Sequence, residues 1–158
     1  MPIKRNANIV KLSRDHHASL LFCWKLRQGI KRHASIEKMR KYVQYFLNQH
    51  FTPHFKEEEE ILFAPLKDKQ VEKAFDDHIE IKKVANDIIF PHSELQLNNF
   101  SALADMVDEH VRYEERILFP HLEKELTETQ LQNIGLRISG EPLKDNFEDA
   151  FWEKPKSL

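Results

Sequence analysis

The sequence predicts an all-α fold: four long helices, read as an antiparallel up-down-up-down bundle with a pseudo-twofold internal repeat, plus a short C-terminal helix and tail. Three observations carry that prediction. Apolar residues recur at helical spacing along four long segments, the pattern of helices that bury one face. The chain holds only three glycines and one cysteine, which leaves little turn chemistry for β-hairpins and no disulfide. One motif also occurs twice: a histidine, a glutamate four residues on and an Ile-Leu-Phe tripeptide, as His54, Glu58 and Ile61 to Phe63, then as His110, Glu114 and Ile117 to Phe119.

The elements follow in order. A first helix is expected from a cap at Ser13 to Lys31, with Leu12, His16, Leu20 and Cys23 on one stripe and His17 turned about 100° away. A second runs from a cap at Ser35 to Phe63, with Pro53 kinking it or restarting it just before His54. A third spans Glu72 to Phe90 and stops at Pro91; a fourth spans Ser101 to Phe119 and stops before Pro120. The capping box of Thr127 and Gln130 starts a short fifth helix that ends near Gly140. Residues 1–140 are taken as the bundle. Residues 141–158 form a tail whose Phe147, Phe151 and Trp152 dock on the bundle or on a partner protein.

At 158 residues the chain is one domain in size and long enough to bury an independent core. A net charge of −2 provides no basic field, so nucleic acid is not an expected partner. No apolar run reaches the roughly 18–20 residues that span a bilayer, and the charged N-terminus lacks a signal-peptide core. The expectation is a cytoplasmic protein without a membrane partner, as a monomer or homodimer.

The repeat carries the chemistry. Residues four apart on a helix lie about 40° from each other, so each motif presents one imidazole and one carboxylate on one face. Phe51, Phe55, Glu58 and Leu62 follow a buried stripe, and so do Val107, Val111, Glu114 and Leu118. Both glutamates thus stand where a hydrophobe belongs. An unpartnered carboxylate there costs several kcal/mol, and a histidine at the same offset both times favours a bound cation. Upstream of each motif stands an Asp-His pair, Asp15-His16 and Asp77-His78. Each gap is long enough for a helix end, a turn and a return helix, so each pair supplies a further imidazole at the same depth.

The series Asp-His, His-x-x-x-Glu, Asp-His, His-x-x-x-Glu, from about Leu12 to Glu125, resembles the hemerythrin-like HHE cation-binding domains. The resemblance implies a four-helix bundle around a non-haem di-iron centre, with His16, His54, Glu58, His78, His110 and Glu114 as metal ligands. It also implies a departure from the oxygen carriers, which have a second histidine four residues after the third-helix ligand. Here that position is Lys82. The carriers' aspartate five residues after the fourth-helix histidine is likewise replaced, by Glu114 at four, and the symmetric set resembles the bacterial iron-repair and nitric-oxide-responsive branch.

If Glu58 and Glu114 both bridge, each metal receives two carboxylate oxygens and two imidazole nitrogens; an oxo or hydroxo bridge makes five, and a sixth position stays open. Such mixed donors suit two iron ions, with manganese or zinc as substitutes. The open position would take a small diatomic molecule or peroxide. Four functions are compatible with this pattern: a di-iron protein that senses, scavenges or reacts with dioxygen, nitric oxide or peroxide; an iron donor for repair; an oxygen carrier; and a metal-free helical interaction domain whose His-Glu pairs are polar networks.

Other candidates have plainer readings. Glu57, Glu59 and Glu60 are expected on a solvated face, since only one of four consecutive positions shares the face of His54. Asp15 and Asp77 are either first-turn acids favoured by the helix dipole or orienting partners of the site. Cys23 reads as core, and His50, one turn before His54, either approaches the mouth of the site or, as the plainer reading, is an exposed histidine at the Pro53 kink. His33, His92 and His121 fall in or near connections.

Overall fold

Residues 4–138 and 140–154 are described by the computed structural model, in which all regular structure is helical. Helix α1 spans Val10–Lys31. Helix α2 is continuous from Ile36–Phe46 through Leu47–Phe51 and Thr52–Glu57 to Glu58–Leu62. Helix α3 spans Lys69–Ile89, and α4 runs from Leu97–Tyr113 through Glu114–Leu118 to Phe119–Glu125. A short α5 covers Glu128–Arg137.

Local chemistry sets most of these ends. The Ser35 hydroxyl accepts from the Lys38 N–H, the Asp68 carboxylate from the Val71 N–H, and Thr127 and Gln130 cap each other reciprocally. Helix α1 begins earlier than Ser13, and that side chain is not its cap: the Ser13 hydroxyl donates to Glu115 Oε1 at 2.6 Å. Neither proline ends its helix. Pro53 and Pro120 each occupy the first turn of an α segment that follows a wide π turn. The wide turn takes up the clash between the proline ring and the preceding carbonyl, and the chain continues in the same direction.

Cross-helix pairs define the topology. Along α1 and α4, Ser13 meets Glu115 and Cys23 meets Ala104, so residue numbers rise on one helix as they fall on the other. The same inversion holds between α1 and α2 for Asp15 with His54 and Phe22 with Phe46. It holds between α2 and α3 for Phe63 with Phe75 and Arg40 with the Ile89 carbonyl, and between α3 and α4 for Tyr113 with the Gln70 carbonyl and His110 with Asp77. The result is a closed up-down-up-down bundle.

Two apolar clusters fill it. One contains Phe22, Tyr42, Phe46, Phe51, Phe55, Ile81 and Val107; the other contains Leu12, Leu62, Phe63, Ala74, Leu118 and Phe119. On α1, α2 and α3, His16, Glu58 and His78 lie between residues of the two clusters, as Glu114 does on α4, while His54 and His110 lie among residues of the first. Leu20 departs from the expected stripe and is 42 % exposed, because the interior of α1 is taken by Ala18, Ser19, Phe22 and Cys23. No helix among the described residues is long and apolar enough to cross a membrane.

The segment after α5 returns along α1 and α2. Phe147, Phe151 and Trp152 gather around Tyr42 with ring centroids 5.1, 5.2 and 5.9 Å away. Asp145 accepts from the Tyr42 hydroxyl and from Lys25 Nζ, which also lies 3.8 Å over the Trp152 ring. Gly29 permits this approach, since a Cβ there would stand 2.9 Å from the Phe151 ring. Truncation in Phe151→Ala should therefore cost about 3 kcal/mol in urea denaturation. An unchanged midpoint would mean that the tail contributes nothing to the fold.

Candidate metal centre

Six side chains from four helices converge between the apolar clusters. His16 comes from α1, His54 and Glu58 from α2, His78 from α3, and His110 and Glu114 from α4, all buried. Their donor atoms form two groups, His16, His54, Glu58 and Glu114 in one and Glu58, His78, His110 and Glu114 in the other. Both glutamates belong to both groups. His54 Nε2 and His78 Nε2 each lie 3.2 Å from Glu58 Oε1, while His16 Nε2 and His110 Nε2 lie 3.1 and 3.0 Å from Glu114 Oε1.

The outward ring nitrogens fix these orientations. Each Nδ1 meets a carboxylate from another helix: His16 with Glu115 at 2.6 Å, His54 with Asp15 at 3.0 Å, His78 with Glu59 at 2.7 Å and His110 with Asp77 at 3.1 Å. A carboxylate can only accept, so it places the ring proton on Nδ1 and turns the Nε2 lone pair inward. Two readings of the sequence change here. Glu59 is no solvated acid, whereas Glu57 pairs with Lys11 and Glu60 is exposed. Asp15 and Asp77 stand beyond the first turns of their helices and hold the histidines of neighbouring helices, not the ones beside them in sequence. The missed signal was the doubled Glu-Glu pair, Glu58-Glu59 and Glu114-Glu115, in which the first acid faces in and the second reaches sideways.

Glu58 and Glu114 each begin a π turn, closed by Phe63 N–H to the Glu58 carbonyl at 2.8 Å and by Phe119 N–H to the Glu114 carbonyl. A π turn inserts one extra residue into the helix, and such turns are frequent at functional sites.

The arrangement demands positive charge. Inward lone pairs of His78 and His110 face each other at 3.1 Å, and His54 Nε2, both Glu58 oxygens and Glu114 Oε2 are buried without hydrogen-bond partners among the described residues. Donors at about 2.1 Å from one ion lie about 3 Å from each other, the separation found here. The residues present fit a bound cation. Without one, protons fill the need: burial alone pushes His54 down, but Glu58 and Asp15 outweigh it and lift it to about 8. Burial and the charge of Glu114 push Glu58 up, yet His54 and His16 hold it at about 2.

His50 departs from the plainer of its two readings. It is buried, not exposed; its Nε2 meets the Ser19 hydroxyl at 3.0 Å and its ring stacks on His54, 5.7 Å away and 14° from parallel. Burial and the charge of His54 push it down to about 3. Cys23 is core, its thiol directed at the Ala104 carbonyl and pushed up to about 12 by burial. Lys82 is partly exposed and lies outside both donor groups. His17 is exposed, and His121 pairs with Asp68 away from the cluster.

Two outcomes follow. Lifted from 6.5 to about 8, His54 contributes stability that is complete below 6.5 and lost as pH rises through 8. Lowered from 4.5 to about 2, Glu58 contributes stability that is complete above 4.5 and lost as pH falls through 2. The metal-free thermal midpoint should thus be highest between these windows and fall on the alkaline side, while added divalent metal stabilises more as pH rises because protons and metal compete for the same nitrogens. A metal-free midpoint that rises through pH 8 would contradict this. Separately, Glu59→Leu and Glu115→Leu should each weaken metal binding about 10–100-fold in competition with a chromophoric chelator, by freeing His78 and His16 to turn.

No curated protein and no solved structure matches the chain. The pattern described as Hemerythrin HHE cation binding domain matches residues 8–122, a span that includes all six converging side chains and Asp15, Glu59, Asp77 and Glu115. The chain belongs to the hemerythrin HHE cation-binding family.

Proposed function

We propose that the protein holds two iron ions and senses, scavenges or reacts with dioxygen, nitric oxide or peroxide. His16 and His54 would hold one ion, His78 and His110 the other, and Glu58 and Glu114 both. The observation that supports this most is the sharing of the two glutamates between two histidine pairs. Two carboxylates and two imidazoles per position make a mixed oxygen and nitrogen set that leaves room for an exogenous ligand, a pattern that suits iron or manganese better than the closed tetrahedral sites of structural zinc.

Iron bound there would supply one-electron chemistry and a position for a small ligand. The rest is the work of the chain. Asp15, Glu59, Asp77 and Glu115 keep each imidazole in one tautomer and one orientation. Phe55, stacked 3.9 Å from His78, and Phe119, 5.3 Å from His16, exclude water from the ring faces. Burial of every inward donor favours a resident centre over iron held for delivery, because release would expose several partnerless polar atoms to an apolar interior.

Anaerobic loading with ferrous iron should give two ions per chain by elemental analysis. Oxidation should then produce near-ultraviolet absorption that a zinc-loaded sample lacks. Glu58→Ala and Glu114→Ala should each lower occupancy at both positions. One ion or none in the parent protein, or loss of a single ion in either variant, would overturn the shared-carboxylate assignment.

A further inference from the structure

The two halves of the bundle repeat in sequence order, which makes their differences readable. His16 corresponds to His78, His54 to His110 and Glu58 to Glu114. Asp15 corresponds to Asp77, and each is held by a lysine one turn before it, Lys11 at 3.1 Å and Lys73 at 2.8 Å. In both halves the lysine and the histidine meet the same carboxylate oxygen, Oδ2. The two acids differ in what covers them. Asp77 is partly exposed and lines a surface cleft with Lys73, Glu80 and His110. Asp15 is fully buried, and its Oδ1 accepts from the Leu143 N–H at 2.8 Å.

That donor belongs to the tail and not to a helix of the bundle. The tail is fastened just beyond it. Asp145 accepts from the Tyr42 hydroxyl and from Lys25 Nζ, the Asn146 N–H donates to the Tyr45 hydroxyl at 2.8 Å, and the Phe147 ring lies 5.3 Å from that of Tyr45. These anchors are on α1 and α2, the helices that supply His16, His54 and Glu58. A bonded series thus runs from the tail backbone through one carboxylate to a metal-facing ring: Leu143 N–H to Asp15 Oδ1, then Asp15 Oδ2 to His54 Nδ1. A carboxylate that loses its tail donor forfeits a charge-assisted hydrogen bond, opens to water and is freer to turn away from His54. Among the described residues, Asp77 is held by Lys73 and His110 with no tail donor.

We propose that the tail is a strap that governs metal retention at one position: docked over Asp15, residues 141–154 fix the His54 imidazole, so the His16 and His54 position holds its ion more tightly, while the His78 and His110 position responds little. The proposal rests on the two-ion reading above. Asp15 and the Leu143 amide are positioning groups, since neither is among the converging donors. The coupling is reciprocal: an ion at His54 holds the tail down by the factor with which the tail holds the ion.

The test measures the affinity of both ions by anaerobic competition of ferrous iron with a chromophoric chelator, with circular dichroism on each chain. The chains are the parent, Leu143→Pro, Asp145→Asn, Glu148→Ala, Asp15→Ala and the double variant Asp15→Ala with Leu143→Pro. Leu143→Pro removes the single N–H and should weaken one of the two ions about fivefold, short of the roughly 10–100-fold that loss of the orienting acid should cause in Asp15→Ala. Asp145→Asn, which loosens the tail without touching Asp15, should weaken the same ion by a smaller factor, and Glu148→Ala should behave as the parent. In the Asp15→Ala background Leu143→Pro should add nothing, because the link is already cut. A second readout follows the tail itself: zinc loading should slow hydrogen exchange of the Leu143 amide about fivefold in the parent and leave it unchanged in Asp15→Ala. Unchanged iron affinity in a folded Leu143→Pro, equal weakening of both ions, or a Leu143→Pro effect that persists beside Asp15→Ala overturns the proposal. If Leu143→Pro loses helicity, Asp145→Asn and the exchange of the Leu143 amide decide by the same criteria. A parent chain that takes up one ion or none defeats the two-ion reading and the proposal with it, a result separable from the others because it precedes any substitution.

Discussion

Two carboxylates without water are the constraint on which the rest of this structure depends. Glu58 and Glu114 are fully buried at mid-bundle, between apolar clusters that offer no compensation. Removing an ion from water costs several kcal/mol after relaxation, and adding a second like charge raises that cost. Four imidazoles answer it. They can do so only with protons directed inward or with lone pairs turned to a shared cation, and that direction is set by four outer carboxylates on Nδ1. Each outer acid comes from a different helix than the histidine it holds, so the polar network ties all four helices at one level.

This network explains two otherwise costly features of the backbone. A π turn is less favourable than regular α-helix, yet one begins at Glu58 and another at Glu114. In each, the first glutamate faces the shared centre and the next reaches a histidine of the other half. Paired prolines would normally end a long helix. Here Pro53 and Pro120 follow wide turns, and α2 and α4 extend far enough to bring both apolar clusters onto the same helices.

The pseudo-twofold symmetry is nevertheless incomplete, and the asymmetry lies on one side. In the first half, the tail closes on the site: the Leu143 N–H donates to Asp15 Oδ1 at 2.8 Å while the other oxygen holds His54, and the Asp15 side chain is fully buried. In the second half, Asp77 remains 25 % exposed and, with Lys73, Glu80 and His110, lines a cleft of about 350 Å³. One side is sealed and polar within; the other is apolar within and open at its outer acid.

Much of this was legible in the sequence. The all-α class, the four long helices and the burial of both motif glutamates follow from helical periodicity and from a repeated histidine-glutamate spacing, which are local properties of the chain. The candidates His16, His54, Glu58, His78, His110 and Glu114 could be named because i and i+4 share a face and because the motif recurs. Tertiary structure decided what those rules cannot reach. Glu59 sits 100° from Glu58 on an ideal helix and looks solvated, until a wide turn and a neighbouring helix give it His78. His50, on its plainer reading, is exposed beside Pro53, until the π turn at Leu47–Phe51 carries it inward against Ser19. Asp15 belongs to His54 and not to its sequence neighbour His16, because which ring an acid meets depends on which helices lie side by side. Spacing along one helix determines which face a residue shares; only the packing of four helices decides what that face touches.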